Sequence, residues 1–223
     1  MLFSLCLDTQ RPWQDVRSIA AAADAAGWHS IYVPDHFMPH DARNRPRRGP
    51  LLEAWTCLAA VATLTQHVRL GTLVLGNTYR HPAVVATLQP ALPILIGGGG
   101  ERRRLAIAAR YGDAWHTWAT SSEFRHKSQA LDRHCEAAGR SPTDIRRVCG
   151  ATVRIASACR ESVGWPDDDG TVNGSAEAVA ETIDRYRQAG VEEFIVRDDA
   201  RTPVVEANDS LLQFQQEVVQ LLL

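Results

Sequence analysis

Lysine is all but missing from this chain: Lys127 is the only one, and arginine carries the rest of the positive side-chain charge. That skew reads as the codon bias of a GC-rich genome and not as function. Net charge is missing too. The 24 Lys and Arg against 26 Asp and Glu leave −2, so there is no electrostatic case for binding nucleic acid or an anionic membrane. No apolar run approaches the roughly 18 residues that span a bilayer. Met1–Leu7 is apolar but short, lacks a basic flank and leads into a helix, so it reads as a strand and not a signal peptide. The five cysteines are odd in number and scattered, with no CxxC or zinc-ligand spacing. Buried thiols in a reducing cytoplasm are the expectation. Internal repeats and low-complexity segments are absent as well.

What is present is a chain of 223 residues, 45% hydrophobic and 22% charged, enough to bury the core of one domain. Strand and helix signals alternate. Strands are expected at Leu2–Leu7, Ser30–Val33, Val68–Leu75, Ile94–Ile96, Ala114–Trp118, Arg147–Ser157 and Glu193–Val196. Helices are expected at Trp13–Ala26, Leu51–Thr65, from Pro82 to before Pro90, Arg102–Tyr111, Ser122–Ala138 (capped by Ser121 or Ser122), from Ser175 to Ala189, and Ser210–Leu222. Pro39–Pro50 and Arg160–Gly174 read as loops. Alternation of this kind implies a parallel sheet with right-handed crossovers. Short, evenly spread strands and a final helix favour a barrel over an open doubly wound sheet, although only seven strands are found where a complete barrel has eight.

In such a sheet the chemistry sits at the carboxyl ends of the strands. Gly97-Gly-Gly-Gly-Glu-Arg-Arg-Arg104 is the strongest local signal there. A glycine run between strand and helix lets bare N–H groups approach an anion, and arginines in a first helical turn are unfavourable until an anion reverses the sign. The other reading is a tight turn with solvated arginines. The run is neither a Walker A loop nor a good dinucleotide fingerprint. Asp35-His36 directly follows a strand, where a histidine can exchange a proton near neutral pH; a structural cap is the alternative. Thr72-Leu-Val-Leu75 offers an apolar shelf for a flat ring, or plain barrel filling. His116, between Trp115 and Trp118, reads as packing rather than as a ligand contact. Asp167-Asp-Asp169 lacks calcium-loop spacing and reads as a solvated loop.

Ile31-Tyr-Val-Pro-Asp-His-Phe37, Arg69-Leu-Gly-Thr-Leu-Val-Leu-Gly-Asn-Thr-Tyr-Arg-His-Pro82 and Pro93-Ile-Leu-Ile-Gly-Gly-Gly-Gly-Glu-Arg-Arg103 resemble the luciferase-like monooxygenase superfamily, nearest its coenzyme F-420-dependent oxidoreductases. Gly174–Val179 and Ala189–Val196 are similar to that family's last barrel unit. The resemblance implies a TIM-type (β/α) barrel that binds the deazaflavin F-420, or alternatively FMN, at its carboxyl-end face. It implies a ring shelf at Leu73 and Val74, often with a non-prolyl cis peptide. It also implies phosphate-binding glycines at Gly97, Gly98, Gly99 and Gly100, and Asp35 and His36 beside the reacting ring. A homodimer and a small-molecule substrate are expected on the same grounds.

The departure from the family pattern is large. Ala86 runs almost directly into Thr87-Leu-Gln-Pro90, so the fourth βα unit and a following insertion are missing. At roughly 30 residues per unit that is a substantial excision. It is either a real loss or a segment lying outside this sequence. The expectation is an incomplete barrel of seven parallel strands, with the third and next strands paired or separated by a gap. Two functions stay open: an F-420- or FMN-dependent oxidoreductase or monooxygenase, and a non-catalytic flavin-binding or vestigial barrel.

Overall fold

A computed structural model describes residues 1–39, 46, 48–76, 78–88, 92–155 and 171–223. In chain order the elements are β1 (Leu2–Cys6), α1 (Trp13–Ala25), β2 (Ser30–Val33), α2 (Ala54–Ala62), β3 (Arg69–Thr72), α3 (Pro82–Leu88), β4 (Leu95–Gly97) and α4 (Arg104–Tyr111). There follow β5 (Ala114–Trp118), α5 (Ser121–Ala137), β6 (Arg146–Ile155), β7 (Thr171–Gly174), α6 (Ala176–Gln188), β8 (Glu193–Arg197) and α7 (Val204–Gln213). Seven strands pair in the order β3-β2-β1-β8-β6-β5-β4, and β7 pairs with β6 off this path. The pairings are parallel. The sheet is a curled half-barrel. Its two ends are β3 and β4, which flank the position of the missing unit and do not pair with each other among the described residues.

Alternation along the strands sorts side chains between two cores. Phe3, Leu5, Ile31, Val33, Phe194 and Val196 pack outward against helix residues such as Val16, Ile19, Ile183 and Phe214. Cys6, Tyr32, Ala114, Val148 and Ile195 point into the concave side and cluster with Leu73. Burying a side chain of this size contributes about 1.5–3 kcal/mol. The amino end of the concavity is closed by Glu193, fully buried, which accepts hydrogen bonds from Ser4 Oγ at 2.7 Å and Tyr32 OH at 2.9 Å and pairs with Arg146 at 3.2 Å.

Several expected boundaries shift for local reasons. The helix expected over Leu51–Thr65 is only Ala54–Ala62, because Glu53 caps it by accepting from the Thr56 N–H. Thr120, not Ser121 or Ser122, caps α5, in a reciprocal box with Glu123. The final helix starts at Val204, earlier than Ser210, and continues through one π-helical turn, Phe214–Val218. Part of the expected loop Arg160–Gly174 is strand β7, which pairs with Thr152–Ile155 of the long β6. Thr152 also pairs with Arg197 of β8, so β7 lies on the β5 side, beyond the point where β5 ends. The rest of that loop, with Asp167-Asp-Asp169, falls outside the described residues, as do Cys159, Asn77, Pro90 and much of Pro39–Pro50. The other four cysteines are free and buried. No described helix is long and apolar enough to cross a membrane.

The carboxyl ends of β1 and β8 are tied by a buried ion pair. Arg11 is 3% exposed and grips Asp198 with Nε and Nη2, both at 2.7 Å, while also donating to the Asp199 and Thr202 carbonyls. Removing one partner of such a pair costs about 3–5 kcal/mol, because the other charge is left buried. Arg201, half-exposed, pairs with Asp199 at 2.6 Å, and an exposed pair is worth about 1 kcal/mol or less. Urea unfolding is therefore expected to show a loss of about 3–5 kcal/mol for Arg11→Ala but under about 1 kcal/mol for Arg201→Ala. Equal losses would contradict this account of the clamp.

Candidate active site

The site is built from the exits of β2, β3, β4 and β5. At the β2 exit Asp35 is buried, 2% exposed, and its Oδ2 accepts from the Gly76 N–H at 3.1 Å and from Arg80 Nη1. Arg80 also pairs with Glu53, the cap of α2. One guanidinium thus fastens the loop after β3 to both the β2 exit and α2. The hydrogen bond from Arg80 to Asp35 is the main reason its already high pKa rises further. Asp35 Oδ1 has no partner among the described residues. His36 is exposed. So the expected Asp-His pair divides: the carboxylate is sequestered and charge-balanced, and the imidazole faces outward. Phe37 and Tyr79 stack beside it, centroids 4.0 Å apart and 17° from parallel.

At the β3 exit the regular strand ends at Thr72, shorter than the Val68–Leu75 expected. Leu73 continues the ladder by one bond to the Val33 carbonyl, 3.0 Å. The Leu73–Val74 peptide is cis, where the family resemblance places one. Leu73 is buried in the inner cluster and Val74 packs against it. Val74 also crosses the gap in the sheet: a Cβ on Gly97 would lie 2.7 Å from Val74 Cγ1. The shelf and the glycine run are therefore in direct contact although their strands do not pair.

The glycine run lies between β4 and α4. Gly98 has φ of +117°, a left-handed conformation that favours glycine, and its N–H donates to the His116 carbonyl at 2.8 Å. A Cβ there would meet the Arg104 side chain at 2.8 Å, and one on Gly99 would meet Thr117 Oγ1 at 3.0 Å. Lys127 Nζ, from α5, donates to the Gly99 carbonyl at 3.0 Å. Two cations, Arg104 and Lys127, thus stand over the bare backbone. Arg102 and Arg103 precede the helix, which starts two residues later than expected. Lys127 and Arg80 were not singled out by sequence reasoning, because each acts on a loop distant in sequence.

His116 and Trp118 complete the arc. His116 is packed as expected, 3% exposed, edge-on to the Trp118 ring at 4.6 Å, and its Nε2 has no partner among the described residues. Asp8 and Asp198, at the β1 and β8 exits, are spent on structure: Asp198 accepts from Arg11 and from the Asp8 N–H, and Asp8 accepts from the Ala200 N–H. A flavin-type group fits what is present. The shelf suits a flat ring, the glycine cradle is one that a Cβ would fill, the cations suit an anionic tail, and two orphaned buried polar atoms lie on the arc.

The family model for luciferase-like monooxygenases matches residues 3–89 and 86–162, and this chain belongs to that family. The two matched segments meet at residues 86–89, the point where a barrel unit is missing. Among curated proteins, the F-420-dependent glucose-6-phosphate dehydrogenase of Amycolatopsis mediterranei is 33% identical over 123 residues, 53% of this chain and 34% of that one. The chain thus spans about a third of the curated relative that it matches. Among solved structures, the F-420-dependent tetrahydromethanopterin reductase of Methanopyrus kandleri superposes with a TM-score of 0.80 at 12% identity, covering 98% of each chain. The oxygenating component of 3,6-diketocamphane monooxygenase from Pseudomonas putida, in complex with FMN, gives a TM-score of 0.76 at 13% identity, covering 100% and 99%. These two likenesses show the fold.

Burial holds the His116 pKa down to about 3, against an ordinary value near 6.5. The unfolded chain therefore binds a proton here that the folded chain refuses. The stability from this group is complete above about pH 6.5 and is lost as pH falls toward about 3. Urea titrations across that range are expected to show a loss of about 1.4 kcal/mol per pH unit from this group, absent from His116→Phe. Parallel pH profiles for parent and variant would overturn that assignment.

Proposed function

We propose that the protein is an oxidoreductase that uses coenzyme F-420, with FMN as the alternative cofactor, on a small organic substrate. The contact between Val74 and Gly97 carries this reading. It sets a ring shelf against an anion cradle in a chain of the luciferase-like family. F-420 is preferred because the curated relative that shares a third of its aligned residues uses it, by its name. The substrate of that relative is not carried over, since substrate loops vary most in barrels.

Bound here, the cofactor would supply hydride transfer or oxygen activation at its ring. The chain supplies position and protons. Leu73 and Val74 support the ring, while Gly97–Gly100 with Arg104 and Lys127 hold the anionic tail. Asp35, pinned by Arg80 and Gly76, fixes the backbone from which His36 projects. His36 exchanges a proton with the substrate. A second copy of the chain covering the open edges of β3 and β4 completes the proposal.

Gly99→Val tests the cradle without imposing left-handed strain. It is expected to lower affinity for F-420 or FMN at least about tenfold, the effect of losing one or two charge-assisted contacts, with an unchanged far-ultraviolet circular dichroism spectrum. Unchanged affinity in the folded variant rejects the cradle.

For His36→Ala, cofactor affinity is expected to stay within a few-fold, while turnover of the first substrate found by screening falls about 100-fold or more. Turnover close to the parent's returns His36 to a structural role.

A further inference from the structure

His116 is the one buried imidazole on the arc. Strand alternation puts it on the same concave face as Ala114, a member of the inner cluster. Its neighbours in register are Gly97 on β4 and Val148 on β6. Gly97 is the residue on which Val74 sits. Trp118, two residues on, leans over Gly150 of β6, where a Cβ would lie 2.8 Å from Trp118 Cζ3. Val74, Gly97, His116, Trp118 and Gly150 therefore form a continuous floor, apolar at both ends, kept low by two glycines, with one polar atom in the middle.

That atom is out of place. A buried donor or acceptor left without a partner costs about 1–3 kcal/mol, and buried polar groups in folded proteins are nearly always satisfied. His116 Nε2 has no protein partner among the described residues. With its pKa held near 3 by burial, the ring is neutral at physiological pH, so one nitrogen donates and the other accepts. A neutral imidazole suits a partner that carries both carbonyl oxygens and ring N–H groups, such as the pyrimidinedione edge of a flavin or deazaflavin.

We propose that His116 is a further cofactor-binding residue: Nε2 hydrogen-bonds the polar edge of the heteroaromatic ring that Leu73 and Val74 support, and Trp118 forms the second wall of the ring site. This rests on the functional reading above. Nε2 is buried, so a ring entering across Val74 and Gly97 reaches it by displacing the Trp118 ring, which packs edge-on to His116 and is 44% exposed. The competing explanation is a trapped water on Nε2 with no part in binding.

The test titrates FMN and F-420 separately into parent, His116→Phe and His116→Gln, following cofactor fluorescence, and records the melting temperature of each free protein. His116→Phe is expected to melt at the same temperature or higher, since an orphaned polar atom is gone. Its affinity for whichever cofactor the parent binds is expected to fall at least about tenfold. His116→Gln, whose amide reaches the Nε2 position, is expected to recover binding to within a few-fold. Parent-like affinity in a folded His116→Phe overturns the assignment and leaves the water explanation. Should His116→Phe fail to fold, His116→Ala with and without added imidazole replaces it. Binding recovered by imidazole supports the assignment, and binding equal to the parent in its absence overturns it. A parent that binds neither cofactor overturns the functional reading, and this assignment with it. A parent that binds, with equal variants, overturns His116 alone.

Discussion

Everything at the working face depends on one contact across a gap. β3 and β4 share no backbone ladder, yet Val74 rests on the bare Cα of Gly97. In a closed barrel, hydrogen bonds through a further strand would set the spacing of shelf and cradle. Here Val74 and the absence of a Cβ on Gly97 set it, backed by the inner cluster that Leu73 joins and Leu95 packs against. The tolerance is small: a methyl group at Gly97 would stand 2.7 Å from Val74 Cγ1, well inside van der Waals contact. The shelf and the glycine run meet across the open side of the sheet because one residue is large and its partner has no side chain.

The charges around the site differ in burial. Arg11 and Asp198 are sealed together between β1 and β8, and Arg80 fastens Asp35 to the α2 cap. These pairs fix in place the loops at the carboxyl ends of the strands. His36 and Arg104 are more exposed, and Lys127 ties α5 to the glycine run through the Gly99 carbonyl and Glu101.

The sequence made the order of elements and the two poles of the site legible. Gly97–Gly100 announced itself by composition, and Asp35-His36 and Leu73-Val74 by position after strands and by family resemblance. What stayed hidden came from partners distant along the chain. Nothing near Arg80 in sequence says that it will span Asp35 and Glu53, 45 and 27 residues away. β7 was invisible because Thr-Val-Asn-Gly has no pattern of its own; it exists because β6, at ten residues, outruns the five of β5 and leaves an edge to pair. The start of α7 at Val204 was missed because Pro203, with its fixed φ, opens the helix without a side-chain cap. His116 read as a packing residue and does pack, but only the structure shows that packing leaves its nitrogen unanswered.

The scarcity of lysine takes on a practical meaning once Lys127 is placed. Its amine is the only lysine amine in the chain, and it stands on the Gly99 carbonyl at 3.0 Å. In most proteins amine-directed chemistry scatters labels over the whole surface. Here its one side-chain target is the cradle itself, so a fluorophore or photocrosslinker attached through lysine would sit where a cofactor's tail is expected to lie, without any mutation to direct it.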